Sequence, residues 1–346
     1  DDLKVIQPTI LMSVPRIYEK VYDKIQDALV KKPAFVQKLF HTAVDVGYRR
    51  FCRENGLPVQ GGFLSLFDPL IAGFLDKKVG AGIRGIFGGR PRIFISGGAA
   101  FNPEVSRTFL GLGINILQGY GMTETAPIMS VNKVGDNHPQ TVGPALVNIE
   151  VRVGDNDELQ MRGPSLMNGY WNRPADTKAV FTEDGWLRTG DQADIFSDGH
   201  IRIKGRIKEI IVTSTGEKVP PADLEQALES DHLVSQAMVV GENRPYIAAL
   251  VVLNAQEWKK LAAELKLDAD DPLSLDTRAA RQAVLRRVKA AAAGFPNYAV
   301  PRQVRLFLEP WSIENGLMTP TLKLKRGPMR IRFADAIESL YAEVKV

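Results

Sequence analysis

The residues of this chain most able to do chemistry sit together in Gln118-Gly119-Tyr120-Gly121-Met122-Thr123-Glu124-Thr125. Two glycines allow backbone to approach a ligand closely. Tyr120 offers a stacking face, Thr123 a donor for a phosphate oxygen, and Glu124 a hard oxygen ligand for Mg²⁺. Together these are the parts of a nucleotide site. A second group, Gly97-Gly98-Ala99-Ala100, offers bare backbone. A third, Gly185-Trp186-Leu187-Arg188-Thr189-Gly190-Asp191, puts a carboxylate after a glycine expected to end a short strand. A carboxylate there accepts both hydroxyls of a ribose, although an Asx-turn explains that segment taken alone. Arg206 is a surface arginine by itself and a sugar or phosphate donor beside such a site.

The elements that must hold these residues are legible around them. Arg92–Ser96 reads as a strand, Asn102-Pro103-Glu104 opens a helix, Gly111 and Gly113 close it, and Ile114–Leu117 is the next strand. Strand–helix–strand predicts parallel strands. Both glycine segments are then expected as loops leaving the carboxyl ends of those strands, where open α/β sheets bind ligands. An amphipathic helix is expected over 15–31, with Ile17, Tyr18, Val21, Tyr22, Ile25 and Leu29 on one face. A second helical region runs to about residue 54 and a helix-like patch covers 66–79, while 80–91 reads as glycine-rich and irregular. From about residue 141 short strands and turns dominate, including a hairpin through Gly154-Asp155-Asn156-Asp157. A smaller α+β unit follows from Ile207, with helices at 222–229, 255–265 and 276–293 and strands near 234–240 and 246–253.

Composition sets limits. A formal charge of +4, from 44 Lys+Arg against 40 Asp+Glu, is too mild to argue for nucleic acid or an anionic membrane. Cys52 is the only cysteine, which removes intramolecular disulfides and points to a reducing, cytoplasmic compartment. No apolar run reaches transmembrane length.

Weaker motifs have plainer readings. Gly80-Ala81-Gly82-Ile83-Arg84-Gly85 spells a dinucleotide fingerprint, but a helix-like segment precedes it and no helix is expected to follow, so a flexible connection is the better reading. Ser214-Thr215-Gly216-Glu217-Lys218 lacks phosphate-loop spacing and reads as a tight turn. The basic tail of Lys323, Lys325, Arg326, Arg330 and Arg332 reads as solvated surface. His41, His138, His200 and His232 are scattered, without metal-ligand spacing.

At this point the motifs resemble a family. Ser96-Gly97-Gly98-Ala99, Gly119–Glu124, Gly185–Asp191, Gly205-Arg206-Ile207-Lys208 and Thr321-Leu322-Lys323-Leu324 follow the order and spacing of the adenylate-forming enzymes. Pro8-Thr9 with Val14–Lys20, and Pro103-Glu104-Val105 with Gly111-Leu112-Gly113, are similar to long-chain fatty acyl-CoA synthetases in particular.

The resemblance implies part of a large α/β domain over 1–206, with a β-rich subdomain from about 141, and a small mobile α+β domain over 207–346. It implies ATP, Mg²⁺, a fatty acid and coenzyme A as the chemical partners, with acyl-AMP between the two half-reactions. By similarity Gly97, Gly98 and Ala99 border adenine, and Tyr120 stacks on it within Gly119, Gly121, Met122 and Ile203. Thr123 contacts the α-phosphate, Glu124 helps hold Mg²⁺, and Asp191 with Arg206 binds ribose. Lys323 bridges carboxylate and phosphate, Lys208 marks the hinge, and Gly216 borders the coenzyme A path. The family's phosphate loop finds no counterpart in residues 1–91, so the chain is expected to be the C-terminal portion of a longer enzyme and inactive alone. Leu322 stands where the family often has glycine. A carrier-protein acceptor, a non-catalytic nucleotide sensor and peripheral membrane contact by way of an apolar substrate stay open.

Overall fold

The computed structural model describes residues 2–59, 65, 67–98, 101–320 and 322–342. They divide into two compact units, Asp1–Ile203 and Lys204–Val346. Among the described residues no helix is long and apolar enough to cross a membrane.

The first unit is built on a sheet of four strands in the order β1 (Ile10–Ser13), β2 (Ile93–Ser96), β3 (Ile116–Gly121) and β4 (Ile128–Val131). The first three are parallel, with Ile10 opposite Ile93 and Phe94 opposite Ile116. The expected strand–helix–strand unit is present. Its helix, Pro103–Gly111, starts on Asn102, whose side chain accepts from the Glu104 and Val105 amides at 2.8 and 3.3 Å. Its buried face joins Val105 and Phe109 to Phe94 and Ile116 of the sheet. The Pro15–Val30 helix completes that core through Tyr18, Tyr22, Ile25 and Leu29. Burying an aromatic or leucine side chain there contributes about 1.5–3 kcal/mol. Ile17, placed on the same face from sequence, is exposed instead.

Residues 80–91 depart from expectation, because Ala81–Ile86 is helical. It continues the Asp68–Leu75 helix through a π-turn over Asp76–Gly80. Arg84 locks the continuation, giving Nη1 and Nη2 to Asp76 at 2.6 and 2.9 Å and Nη1 also to the Leu112 carbonyl at 2.9 Å. A helix, not a strand, therefore leads into Gly80–Gly85, as the sequence indicates. β1 has no counterpart in the sequence reading, since four residues with half-exposed side chains leave little period-2 signal.

A second sheet runs β5 (Glu150–Val153), β6 (Glu158–Arg162), β7 (Leu187–Ile195) and β8 (Ile201–Arg206) in that order. The β5–β6 hairpin is antiparallel and turns through Asn156 and Asp157 at φ 58° and 59°, conformations these residues tolerate.

In the second unit, β9 (Ile211–Val212) and β10 (Lys218–Val219) form a short antiparallel pair. β11 (Val234–Val240), β12 (Ala248–Leu253) and β13 (Gln303–Phe307) form a three-stranded sheet, antiparallel and then parallel. Period-2 alternation divides its side chains. Ala237, Val239, Ala249 and Val251 meet the helices Pro221–Glu229 and Arg278–Ala291. Met238, Val240, Leu250 and Val252 meet Trp311, Leu317, Met329 and Leu340. β13 and the helices Arg326–Arg332 and Ala334–Ala342 were not expected from sequence.

Candidate nucleotide site

β3 does not end at Leu117. It continues through Gln118, Gly119, Tyr120 and Gly121 because β4 folds back along them, pairing Gly119 with Val131 and Tyr120 with Ser130. The expected loop is therefore mostly strand, and the turn is confined to Met122–Pro127. Thr125, wholly buried, holds that turn. Its Oγ1 accepts the Met122 N–H at 3.0 Å and lies 2.7 Å from the Pro127 carbonyl. Gly121 is required by close approach, since a Cβ there would stand 1.7 Å from the Pro127 carbonyl oxygen.

The turn presents Thr123 exposed and Glu124 half-buried. Glu124 is fixed from a segment the sequence reading passed over. Tyr170 donates its hydroxyl to Glu124 Oε1 at 2.8 Å, and the Met167 amide donates to the Glu124 carbonyl at 2.9 Å. The carboxylate in turn raises the Tyr170 phenol above its ordinary value, keeping it a donor.

The first glycine segment adjoins this strand. Ser96 is registered with Gln118, and a Cβ on Gly97 would lie 3.3 Å from the Gly119 carbonyl oxygen. Gly98 adopts φ +86°. Ala99 lies outside the described residues, as does Thr321.

Asp191 is not at a strand end. β7 runs on to Ile195, and Thr189, Gly190 and Asp191 stand opposite Leu159 alone, so β7 bulges there. Gly190 takes φ +73° within the bulge. Thr189 Oγ1 donates to the Leu159 carbonyl at 2.7 Å and accepts the Asp191 amide at 3.1 Å. The Gly190 amide finds Glu158 Oε1 at 3.1 Å. With its backbone satisfied, the bulge aims the buried Asp191 carboxylate at β3, where the Tyr120 hydroxyl donates to its Oδ2. Tyr120, Met122 and Ile203 pack on one apolar cluster with Met129, Leu159 and Leu187. Sequence positions from three strands and a turn thus converge: a ring face, a buried carboxylate, half-buried backbone at Gly97 and Gly119, and Glu124.

The remaining expected residues belong to the second unit. Arg206 is exposed at the end of β8, and Lys208 is exposed on the turn Ile207–Glu209. Gly216, at φ +84°, makes the β9–β10 turn, closed by the Gly216 amide on the Thr213 carbonyl at 3.0 Å. Lys323 is exposed on a tight loop in which the Lys323 amide donates to Thr319 Oγ1 at 3.0 Å and its carbonyl accepts from the Thr319 amide at 2.8 Å. Arg326 corrects the reading of the tail as solvated. It is largely buried, gives a bidentate pair to Glu225 at 2.9 and 2.6 Å, and reaches Glu209 at 3.2 Å.

Comparison with known proteins bears on this geometry. A family profile described as AMP-binding enzyme matches residues 1–171, and one described as AMP-binding enzyme C-terminal domain matches 208–345. The long-chain-fatty-acid--CoA ligase FadD15 of Mycobacterium bovis is 33% identical over 98% of this chain and 56% of its own length. Long chain acyl-CoA synthetase 7, peroxisomal, of Arabidopsis thaliana is 31% identical over 99% of this chain and 50% of its own. The chain therefore spans about half the length of the curated relatives it matches. The adenylation domain of a carboxylate reductase from Mycobacterium chelonae shares the fold, with TM-score 0.71 at 24% identity over 99% of this chain and 48% of that one.

Proposed function

Because this chain belongs to the AMP-binding, adenylate-forming enzymes, we propose that it serves the activation of a long-chain fatty acid with ATP and its transfer to coenzyme A. The carboxylate oxygen attacks the α-phosphorus of ATP, the bond to the bridging oxygen breaks, and pyrophosphate leaves. The coenzyme A sulfur then attacks the acyl carbonyl and AMP departs with the oxygen.

The observation that carries the nucleotide half is the meeting of Tyr120 and Asp191. A ring face suits a base, and a buried carboxylate one hydroxyl away suits ribose. Gly97, Gly98 and Gly119 border the base, with Met122 and Ile203 as apolar walls. Thr123, exposed beside Glu124, is the donor to the α-phosphate. Glu124 fits Mg²⁺: it is a half-buried hard oxygen donor beside the exposed Thr123, held at one oxygen by Tyr170, and Mg²⁺ uses one or two carboxylates alongside substrate phosphates. The ion, when bound, would offset phosphate charge.

Lys323 is proposed to neutralise the two anions that must meet, a task suited to a compact charge on a flexible stem. Arg206 assists at ribose, Lys208 is the hinge of a division at 1–206 and 207–346, and Gly216 borders the pantetheine path. Both curated relatives named above are ligases or synthetases of long-chain acids, which supports the substrate class.

The test, run on protein that carries a phosphate loop upstream of this chain, is pyrophosphate exchange with ATP in the presence of dodecanoate, palmitate, benzoate or amino acids, followed by acyl transfer to coenzyme A or to an acyl carrier protein. Exchange driven by palmitate, with thioester formed on free coenzyme A, is expected. Exchange driven by amino acids or benzoate alone would overturn the substrate class, and transfer to carrier protein only would overturn the acceptor.

A further inference from the structure

His138 and His200, far apart in sequence and without ligand spacing, stack face to face with ring centroids 3.8 Å apart and planes 5° from parallel. His200 is 1% exposed, and neither of its ring nitrogens has a hydrogen-bond partner. A buried imidazole left unsatisfied at both nitrogens is costly and calls for an explanation. Two carboxylates flank the stack on opposite edges. Asp136 Oδ1 lies 3.8 Å from His138 Nε2 and 3.6 Å from His200 Nε2. Asp198 lies 3.3 Å from His200 Nδ1 through Oδ1 and 3.7 Å from His138 Nδ1 through Oδ2.

We propose that Asp136, His138 and His200 bind a divalent transition metal of the zinc class, with Asp198 orienting the two imidazoles. One ligand atom from each of the three residues lies within 4.8 Å of the others. Ligands about 2.0–2.2 Å from a tetrahedral zinc lie about 3.3–3.6 Å from one another, so a contraction on the order of 1 Å closes the set. Two imidazoles and a carboxylate are the donor set that zinc, nickel and copper prefer over magnesium or calcium. Drawn into hydrogen-bond geometry from 3.3 Å, Asp198 on the δ side would favour the His200 tautomer that leaves the Nε2 lone pair for the ion, the usual arrangement of a carboxylate behind a metal-bound histidine. With neutral imidazoles the two carboxylates carry the net charge of the group, and a divalent cation cancels it. The parallel stack means one ring must turn to aim its lone pair, and His138, with a quarter of its side chain exposed, has the room.

The position gives the site a structural role. Asp136 and His138 lie on the segment after β4, and Asp198 and His200 on the β7–β8 turn. The two are already laced by the Val142 amide on the Ile201 carbonyl at 2.8 Å and the Ile201 amide on the Gly143 carbonyl at 3.1 Å. Gln118 Nε2 donates to the Pro139 carbonyl, beside His138. A metal there would brace the strand that carries Gly119, Tyr120 and Gly121, without touching the nucleotide groups.

The experiment is zinc binding to chelator-stripped protein, followed by equilibrium dialysis with metal analysis, by cobalt(II) absorption and by thermal unfolding with and without Zn²⁺. One ion per chain, a low-symmetry cobalt spectrum with imidazole character and a Zn²⁺-dependent rise in Tm are expected. Asp136→Asn, on a side chain half in solvent, should fold normally and weaken zinc about 10-fold or more, and Asp198→Asn about 10-fold. His138→Gln should abolish the one-to-one site. Zinc binding unchanged in Asp136→Asn and His138→Gln, or no binding to the folded wild-type protein at 100-fold molar excess, would overturn the proposal. His200→Ala is not needed for the decision, so failure of that buried variant to fold leaves the test intact.

Discussion

The Tyr120 hydroxyl donates to Asp191 Oδ2 across 71 positions of sequence, joining a strand of one sheet to the bulge of another. The bond has a cost for any ligand that uses the same carboxylate. A ribose donating two hydroxyls must share Asp191 with the phenol or displace it, because a carboxylate has a limited set of lone-pair directions. At the proposed nucleotide site the phenol would therefore hold Asp191 in place before a ligand arrives and compete with it afterwards.

Tyr120→Phe is expected to keep AMP affinity within about 3-fold, since the stacking face remains while the competing donor goes. Tyr120→Ala should lose about 1–3 kcal/mol, the usual worth of a base stacked on an aromatic ring. Asp191→Ala should weaken AMP by about 1.5–3 kcal/mol and abolish discrimination against 2′-deoxy-AMP. Calorimetric titration of these variants with both nucleotides checks the set. Equal loss for Tyr120→Phe and Tyr120→Ala would remove the stacking role.

Glu124 gives a second expectation. Its carboxylate is oriented by Tyr170 at 2.8 Å, so Tyr170→Phe should loosen it without removing its charge. The Mg²⁺ concentration needed for half-maximal adenylation should rise about 10-fold or more in Glu124→Gln. The rise in Tyr170→Phe should be smaller. An unchanged Mg²⁺ dependence in Glu124→Gln would exclude the carboxylate as a ligand.

What was legible in the sequence follows from the range of the forces involved. The strand–helix–strand unit around Asn102 was readable because caps, prolines and apolar runs are local signals. The strand identity of Gly119–Gly121 was not, because it depends on β4 folding back on glycines that favour loops by composition. Tyr170 could have been suspected only as a partly apolar ring near a proline-opened helix, Pro174–Val180; its contact with Glu124 is long-range. Thr125 left a weak trace as a hydroxyl inside a turn. Arg326 looked solvated because its partners, Glu209 and Glu225, come from about a hundred residues upstream. The Asp191 bulge was hidden for a similar reason: a glycine before an acid reads as a strand end until the partner strand is known.

A pH dependence belongs to the helical part of the first unit. Arg49 donates to both oxygens of the buried Asp68 at 2.7 Å, and Arg53 adds a third contact at 3.2 Å. The Arg49 hydrogen bonds hold the Asp68 carboxyl below its ordinary value of 3.8. A lowered acid contributes stability that is complete above its unfolded value, and this is lost as pH falls from there through the folded one. Asp68→Asn should therefore cost about 1–3 kcal/mol at pH 7, shrinking steadily as pH is taken below about 4. Urea unfolding of both proteins at pH 7, 5, 4 and 3 measures it. A gap that stays constant from pH 7 to 3 would mean that the pair contributes nothing through charge.

Leu322 and Lys323 carry the last expectation. Leu322 adopts φ +61°, a conformation that costs a branched or bulky residue about 1–2 kcal/mol and glycine almost nothing. Glycine would suit the position for that reason. Here the strain is offset because the Leu322 side chain packs against the Trp311, Leu317 and Met329 cluster, and because Met318 bridges Leu324 across the loop. Leu322→Gly should then change stability by less than about 1 kcal/mol, relief of strain against lost packing and a freer unfolded chain. Leu322→Val, β-branched at positive φ, should lose about 2 kcal/mol and slow adenylation by shifting the loop that carries Lys323. Lys323 is exposed, so Lys323→Ala should leave Tm nearly unchanged. In protein that also carries a phosphate loop it should reduce pyrophosphate exchange about 100-fold or more, the scale of losing one preorganised charge at developing negative charge. Thioester formation from supplied acyl-AMP should fall less than about 10-fold. Equal loss in both half-reactions, or a larger loss in Lys325→Ala than in Lys323→Ala, would move the catalytic charge elsewhere.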